Sequence, residues 1–172
     1  MADFRMLAPF ILKWEGGFVN DPQDAGGATM KGVTIGTFTE YRKRKGLPAP
    51  TVEDLQSMDL NEWMEIFKTL YWDRWKGDAI RSQSVADILV DWVWASGVWG
   101  IKIPQRILGV AQDGIVGPET LSALNACEPA GIFDRIRTAR LQYIDDICRS
   151  RPANGRFRRG WVNRINDLKF RA

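Results

Sequence analysis

Residues 3–36 read DFRMLAPFILKWEGGFVNDPQDAGGATMKGVTIG, and the change of character at residue 15 decides the fold. Up to Trp14, the residues Phe4, Leu7, Ala8 and Ile11 recur at i, i+3, i+4 and i+7, the spacing of one face of an amphipathic helix. Gly16 and Gly17 end it, as glycine does at a helix C-terminus. Beyond them, residues 16–36 hold six glycines together with Pro, Asn and Asp, which predicts a loop or short hairpin with several tight turns. Such a stretch is long for a connector inside a compact domain, and long structured loops are more often functional than connective. Advancing four residues from Ile11 at 100° per residue puts Glu15 near the middle of the apolar stripe, where a surface glutamate would not be placed.

Working outward, Thr37 to Lys45 reads as a short helix before a connection through Pro48 and Pro50. Asp59 to Trp75 carries Leu60, Trp63, Met64, Phe67, Leu70 and Tyr71 at helical spacing, with Asp59 and Glu62 in the capping-box pattern. Ser84 to Trp99 is apolar nearly all round and predicts the central buried helix. Ile103–Leu108, Pro118–Leu124, Gly131–Cys148 and Phe157–Leu168 complete a mainly α protein. The expected architecture is a mainly α domain with a Gly-rich loop or short hairpin after the first helix.

Composition narrows the chemistry. The 172 residues are 45% hydrophobic and 26% charged, the balance of a soluble globular protein of one core. There is no histidine, which excludes Ser-His-Asp and Cys-His catalysis and His-rich zinc sites. No metal and no cofactor are expected. Cys127 and Cys148 are too few for a disulfide scaffold, lack metal or redox spacing, and read as buried small hydrophobes. The apolar run Met6–Leu12 is barely the minimum for a signal-peptide core, follows Asp3 and precedes no small-residue cleavage site. It reads as part of a mature helix, so synthesis in the cytoplasm is expected, and no stretch approaches a membrane span.

Carboxylates are then the candidate catalysts. Glycoside hydrolysis needs a proton donor beside the scissile oxygen and usually a second carboxylate that activates water or attacks the sugar. Glu15, emerging from an apolar face, would be desolvated, and desolvation raises a carboxyl pKa so that the proton is held near neutrality. It could equally pair with a Lys or Arg. Asp24 and Asp21 are the second-carboxylate candidates, although Asp21 before Pro22 is a standard turn residue and Asp24 fits an Asx-turn. The Thr29 hydroxyl could hold a water. Asp87 and Asp91, one turn apart on the central helix, read as a pair that caps or pairs inside the core.

The stretch Glu15-Gly16-Gly17-Phe18, Asn20-Asp21-Pro22, Asp24, Gly26-Gly27, Thr29 and Gly32-Val33-Thr34 resembles the signature of glycoside hydrolase family 108, peptidoglycan-cleaving lysozymes also called secretion activators. Tyr71-Trp72 and Gly77-Asp78 are similar to the family's middle. Asp113-Gly114-Ile115-Val116-Gly117-Pro118-Glu119-Thr120-Leu121 resembles the turn and helix of its C-terminal peptidoglycan-binding region. The resemblance spans roughly residues 4 to 148 and implies a lysozyme-like helical domain whose Gly-rich active-site loop or short hairpin follows the first helix, with a catalytic part over 1–90 and a helical peptidoglycan-binding-like part over 91–172 integral to one compact domain. It also implies N-acetylmuramidase activity, with the family's catalytic glutamate on Glu15. The order Glu, Asp, Thr is also similar to phage-type lysozymes, which lends Asp24 the role of activating water and Thr29 that of positioning it. Phe18 stands where tyrosine is common and Ala95 where asparagine is expected.

Substrate contacts expected from this reading are Asp21, Tyr71 and Trp72, because aromatic faces stack on sugar C–H surfaces. Tryptophans at helical spacing are otherwise core. The segment Asp113–Leu121 also reads simply as a helix start with Pro118 in the first turn. From Arg149 onward there are eight Lys or Arg and one acid, a net +7, which leaves 16 bases against 20 acids, −4, in the remainder. Phe157, Trp161, Ile165 and Leu168 share one face of that basic helix, with Arg156, Arg158, Arg159 and Arg164 on the others. It reads either as a solvated surface docked by its apolar face or as a contact for an anionic envelope. No nucleic-acid partner is expected.

The whole points to a monomeric phage or prophage endolysin that reaches the wall, in the periplasm, by holin-assisted release and hydrolyses peptidoglycan glycan strands. Rival readings are a catalytically silent peptidoglycan-binding or secretion-assisting protein and a lytic transglycosylase.

Overall fold

The computed structural model describes residues 1–22 and 27–172, so Asp24 lies outside the described residues. The chain divides into two compact units, Phe4–Tyr71 and a second made of Met1–Asp3 with Trp72–Ala172. The mainly α expectation holds, with one small sheet among the described residues. None of the described helices is long and apolar enough to cross a membrane.

In the first unit, α1 (Phe4–Trp14) buries Leu7, Ala8 and Ile11, the stripe that the sequence spacing marks. The Gly-rich segment forms three two-residue strands, β1 (Phe18–Val19), β2 (Thr29–Met30) and β3 (Val33–Thr34), antiparallel and in chain order. Lys31 and Gly32 join β2 to β3 with φ of 48° and 79°, the left-handed pair that a two-residue hairpin matched to strand twist requires. Lysine is a poor residue there. The indole N–H of Trp63 donates to its carbonyl at 3.0 Å and holds the turn.

Thr34 caps α2 (Ile35–Arg44) by accepting from the Thr37 N–H at 3.1 Å. A five-residue helix that the sequence reading missed, α3 (Val52–Gln56), starts in the Pro-rich connection. A capping box stabilises it: Asp54 N–H donates to Thr51 Oγ1 at 3.1 Å and Thr51 N–H to Asp54 Oδ2 at 2.9 Å. Helix α4 (Leu60–Leu70) begins at Asp59, which accepts from the Glu62 N–H at 2.8 Å, and buries Trp63, Ile66 and Phe67. It packs on α1 and α2. The helix expected to run to Trp75 stops at Tyr71.

The second unit opens with two 3-10 turns, Trp72–Trp75 and Gly77–Ala79, and continues through α5 (Gln83–Ser96), α6 (Trp99–Leu108), α7 (Pro118–Ala126), α8 (Pro129–Ser150) and α9 (Gly155–Asp167). The central buried helix is α5, packed on α6 and α8. Gly97 ends it two residues before the expected Trp99, with a φ of 59° that an L side chain rarely adopts. Gly100 then brings α6 close, since a Cβ there would lie 2.6 Å from the Val93 nitrogen. Both chain ends are tied to the start of α5. Ala2 N–H donates to Ile80 O at 2.9 Å, Asp3 exchanges backbone bonds with the Gln83 amide at 2.7 and 3.1 Å, and Arg171 N–H donates to Ser84 Oγ at 2.9 Å.

Segment 113–121 is a knot around one buried amide. Gln105 Nε2 donates to Asp113 Oδ1 at 2.8 Å and to Ile115 O at 3.0 Å, while its Oε1 accepts from Gly114 N–H at 2.9 Å. Asp113 also accepts from Ile115 N–H at 2.9 Å, the bond that most lowers its pKa. Pro118 then begins α7 behind Gly117. The motif is thereby accounted for as fold. Both cysteines are free and half-buried, less enclosed than their sequence context predicts.

Candidate active site

Glu15 follows directly on α1, its N–H donating to Ile11 O at 3.1 Å so that the helical path carries through it. It is half-buried, one turn beyond the fully buried Ile11. Two residues later the chain enters the sheet: Gly17 O accepts from Lys31 N–H at 3.4 Å, and Phe18 and Val19 pair with Met30 and Thr29. Thr29 is therefore carried across from the strand that leaves Glu15. Its neighbour on the other side is Thr34. Thr29 is half-buried, and its hydroxyl has no hydrogen-bond partner among the described residues, so it can hold a water. Asp21 is exposed in the segment joining β1 to β2. The chain path thus sets Glu15 at the end of α1 and Thr29 on the strand paired with the one that follows it.

The two aromatic expectations fare differently. Tyr71 caps the C-terminal end of α4 and is half-buried. Lys68, one turn before it, has its Nζ 5.8 Å from the centroid of Phe4, the first residue of α1. The start of α4, by contrast, meets the hairpin through Trp63 and Lys31. The two helices therefore run antiparallel, and Tyr71 follows the turn of α4 that meets Phe4, a residue about 16 Å of helical rise from Glu15 at 1.5 Å per residue. Trp72 is a correction: it is 0% exposed and has no face to offer a sugar. Its indole N–H donates to Asp78 Oδ1 at 2.8 Å, and a Cβ on Gly77 would lie 2.2 Å from its ring. The pattern Trp72, Gly77, Asp78 is a packing lock, and burial of tryptophan against glycine explains why those residue types occur together.

Two features of this unit were not legible in the sequence. Trp63 reads as core and is core, yet its N–H also fixes the hairpin turn. Glu62, read only as a capping residue, is half-buried, and burial followed by the nearby Asp59 raises its carboxyl above the usual range. The helical period showed the turn of α4 that each occupies, but not the segment each would meet.

The second unit holds the buried ionic cluster that the sequence foreshadowed at Asp91. Asp91 Oδ2 accepts from Arg140 Nη2 at 2.9 Å, and its Oδ1 accepts from Arg164 Nη2 at 2.8 Å and Nε at 3.1 Å. Arg164 is therefore no solvated residue of the basic helix. Ile165 and Leu168 dock α9 as expected, whereas Phe157 remains 45% exposed beneath the Arg156 guanidinium, 4.5 Å from its ring centroid.

Comparison with known proteins bears on this geometry. The family described as glycosyl hydrolase 108 matches residues 8–97, and one described as a predicted peptidoglycan domain matches residues 99–166. Among solved structures, SagA of Brucella abortus is similar over 96% of this chain and 90% of its own, with 26% identity and a TM-score of 0.81. No curated protein is significantly similar.

Proposed function

Because the chain belongs to glycosyl hydrolase family 108, a glycosidase family here joined to a peptidoglycan domain, we propose that it cleaves the β-1,4 bond between N-acetylmuramic acid and N-acetylglucosamine. One observation carries this reading: a half-buried glutamate, Glu15, ends an apolar helix where a hairpin brings in an unpartnered threonine hydroxyl. Glu15 gives its proton to the glycosidic oxygen as the C–O bond breaks. A water held by Thr29 adds to the anomeric carbon and passes its proton to Asp24. The products are a new reducing end and a new free hydroxyl. Asp21, exposed before Pro22, contacts substrate without exchanging protons.

Release of reducing ends from purified peptidoglycan tests the reading. Glu15→Gln keeps the shape and deletes the transferable proton, which is worth roughly 10²–10⁴-fold in rate. Asp24→Asn is expected to lose far more activity than Asp21→Asn, given equal folding. A Glu15→Gln enzyme that releases reducing ends at the parent rate overturns the assignment, and a parent that releases none returns the protein to the class of silent binders.

A further inference from the structure

The unit that does not contain Glu15 holds one tryptophan half in solvent. Of the eight in the chain, all among the described residues, Trp63, Trp72, Trp75 and Trp92 are almost wholly buried, whereas Trp99 is 50% exposed. It is held there firmly. Trp99 opens α6, and its neighbour Gly100 packs so closely on α5 that a Cβ would lie 2.6 Å from the Val93 nitrogen. The Gly100 carbonyl also accepts from the Trp75 indole N–H at 3.0 Å. A single exposed ring means little by itself, but this one walls a groove.

Helices α6 and α8 leave an open groove of about 320 Å³ between them. Each contributes one helical stripe. From α6 come Trp99, Ile103 and Arg106, and from α8 come Ala139, Gln142, Tyr143 and Asp146 at i, i+3, i+4 and i+7. The stripe that α8 buries in the core is a different one, with Ile132, Ile136 and Ile144 on it. Ile103, 9% exposed, and the Ala139 methyl supply the apolar part of the groove. The Tyr143 ring is fixed edge to face on buried Trp92 with centroids 5.9 Å apart, and Arg135 Nη2 ties the last turn of α6 to α8 by donating to Ile107 O at 2.8 Å. The polar groups are only partly used. Gln142 Nε2 and Arg149 Nη1 both donate to Asp146 Oδ1, at 2.9 and 3.3 Å, which leaves Asp146 Oδ2 and Gln142 Oε1 able to accept. The Arg106 guanidinium, the Tyr143 hydroxyl and the Trp99 indole N–H have no hydrogen-bond partner among the described residues.

We propose that this groove binds an N-acetylhexosamine residue of a peptidoglycan glycan strand, stacked on Trp99. The inference rests on the reading of the protein as a peptidoglycan hydrolase and names the component of the polymer that its second unit holds. Every residue lining the groove falls within 99–166, the stretch that matches the predicted peptidoglycan domain. Charge separates sugar from stem peptide: one guanidinium and one carboxylate line the groove, a balance that suits an uncharged ring better than stems carrying several carboxylates. An N-acetylhexosamine has an apolar C–H face for the Trp99 ring and hydroxyls that both donate and accept. Its acetamido arm needs an acceptor for the N–H, a donor for the carbonyl and an apolar contact for the methyl. Gln142 and Asp146, Arg106 and Tyr143, and Ile103 with Ala139 offer these in turn. The volume lies at the small end of the about 300–1,000 Å³ of ligand pockets, which suits one ring with its arm.

Heteronuclear NMR of the full chain, following the Trp99 indole resonance, tests it. The probe is chitotetraose. Its controls are cellotetraose, which keeps the β-1,4 linkage and lacks the acetamido group, and the free stem L-Ala-D-Glu-diaminopimelate-D-Ala. Chitotetraose is expected to shift the Trp99 resonance saturably, with each control binding about tenfold more weakly or worse. Ala139→Leu, which fills the groove, should abolish the shift while the rest of the spectrum stays native. Gln142→Ala, at an exposed position that folding does not need, should weaken binding about fivefold and decides the matter if the leucine variant does not fold. No Trp99 shift with chitotetraose, equal binding of either control, or parent-like binding by Gln142→Ala would each overturn the proposal. So would a Trp99 resonance that moves with protein concentration in the absence of sugar, which would give the groove to a second copy of this chain. Reducing-end release from purified peptidoglycan by the parent is measured on the same preparation. Hydrolysis without a Trp99 shift sinks only the groove assignment, and a shift without hydrolysis sinks only the activity.

Discussion

Replacing Asp87 by asparagine should stabilise the protein at neutral pH and do little in acid. Asp87 lies on α5, half-buried, and its Oδ1 accepts from Gln83 Nε2 at 2.7 Å. Burial, the dominant cause, pushes its pKa from 3.8 up to about 6; the Gln83 bond and Arg171 pull down, and Asp91 pushes up. A carboxyl whose folded pKa exceeds its unfolded one binds more protons when folded, so stability falls as pH rises through the interval between the two values. The contribution of Asp87 is fully favourable below pH 4 and is lost by about pH 6. At 1.36 kcal/mol per pH unit the loss amounts to about 3 kcal/mol. Asparagine keeps an oxygen for Gln83 and carries no charge to bury. Urea unfolding of parent and Asp87→Asn at pH 4 and pH 7.5, compared through midpoint and slope, should give nearly equal stabilities in acid and a gain of up to about 3 kcal/mol for the variant at pH 7.5. A difference between the two proteins that does not change with pH would refute the argument, because it would show that Asp87 is not ionising against its surroundings.

Other outcomes are equally accessible. Gly77→Ala places a methyl inside the Trp72 ring contact and should cost about 1–3 kcal/mol in urea unfolding, the range for overpacked cores. Substituting Arg156, Arg158 and Arg159 by glutamine should weaken binding to anionic vesicles, most at low salt where screening is least, and leave cleavage of soluble muropeptide oligomers unchanged. Arg158 also loses its 2.8 Å bond to Asp145, so unfolding of the variant is measured alongside. Treatment with EDTA should leave hydrolysis of purified peptidoglycan intact, since a chain without histidine and without zinc-spaced cysteines offers no zinc site of the usual kind.

What was legible in the sequence was whatever a local period can carry. The stripe Leu7, Ala8, Ile11 gave α1 and put Glu15 at its end, and the glycines of 16–36 announced a hairpin. The nearly uniform apolarity of Ser84–Trp99 marked the central helix. What failed was nonlocal or too short. Helix α3 has five residues, less than two turns, so no period can show it, although its Thr51 and Asp54 are a readable cap. Trp72 looked like an available aromatic because nothing in its own segment reveals Gly77 packed against the ring. Arg164 looked solvated because Asp91 lies 73 residues away in sequence. In each case the deciding partner came from another element, which a spacing argument cannot supply.

The tethering of both chain ends to the start of α5 has a topological consequence. Ile80, Gln83 and Ser84 hold Ala2, Asp3 and Arg171 within about one helical turn of one another. The backbone of this unit is therefore nearly a closed ring, and a peptide bridge of a few residues would complete it. Chains whose ends lie close together tolerate circular permutation well. New termini opened at an exposed stretch such as Ala111–Asp113 would still leave Ala2 and Arg171 anchored, now as the two sides of one loop. A segment joined before Ala2 or after Arg171 would instead start from the edge of the central helix, where its attachment competes with the pairing of Asp3 and Gln83.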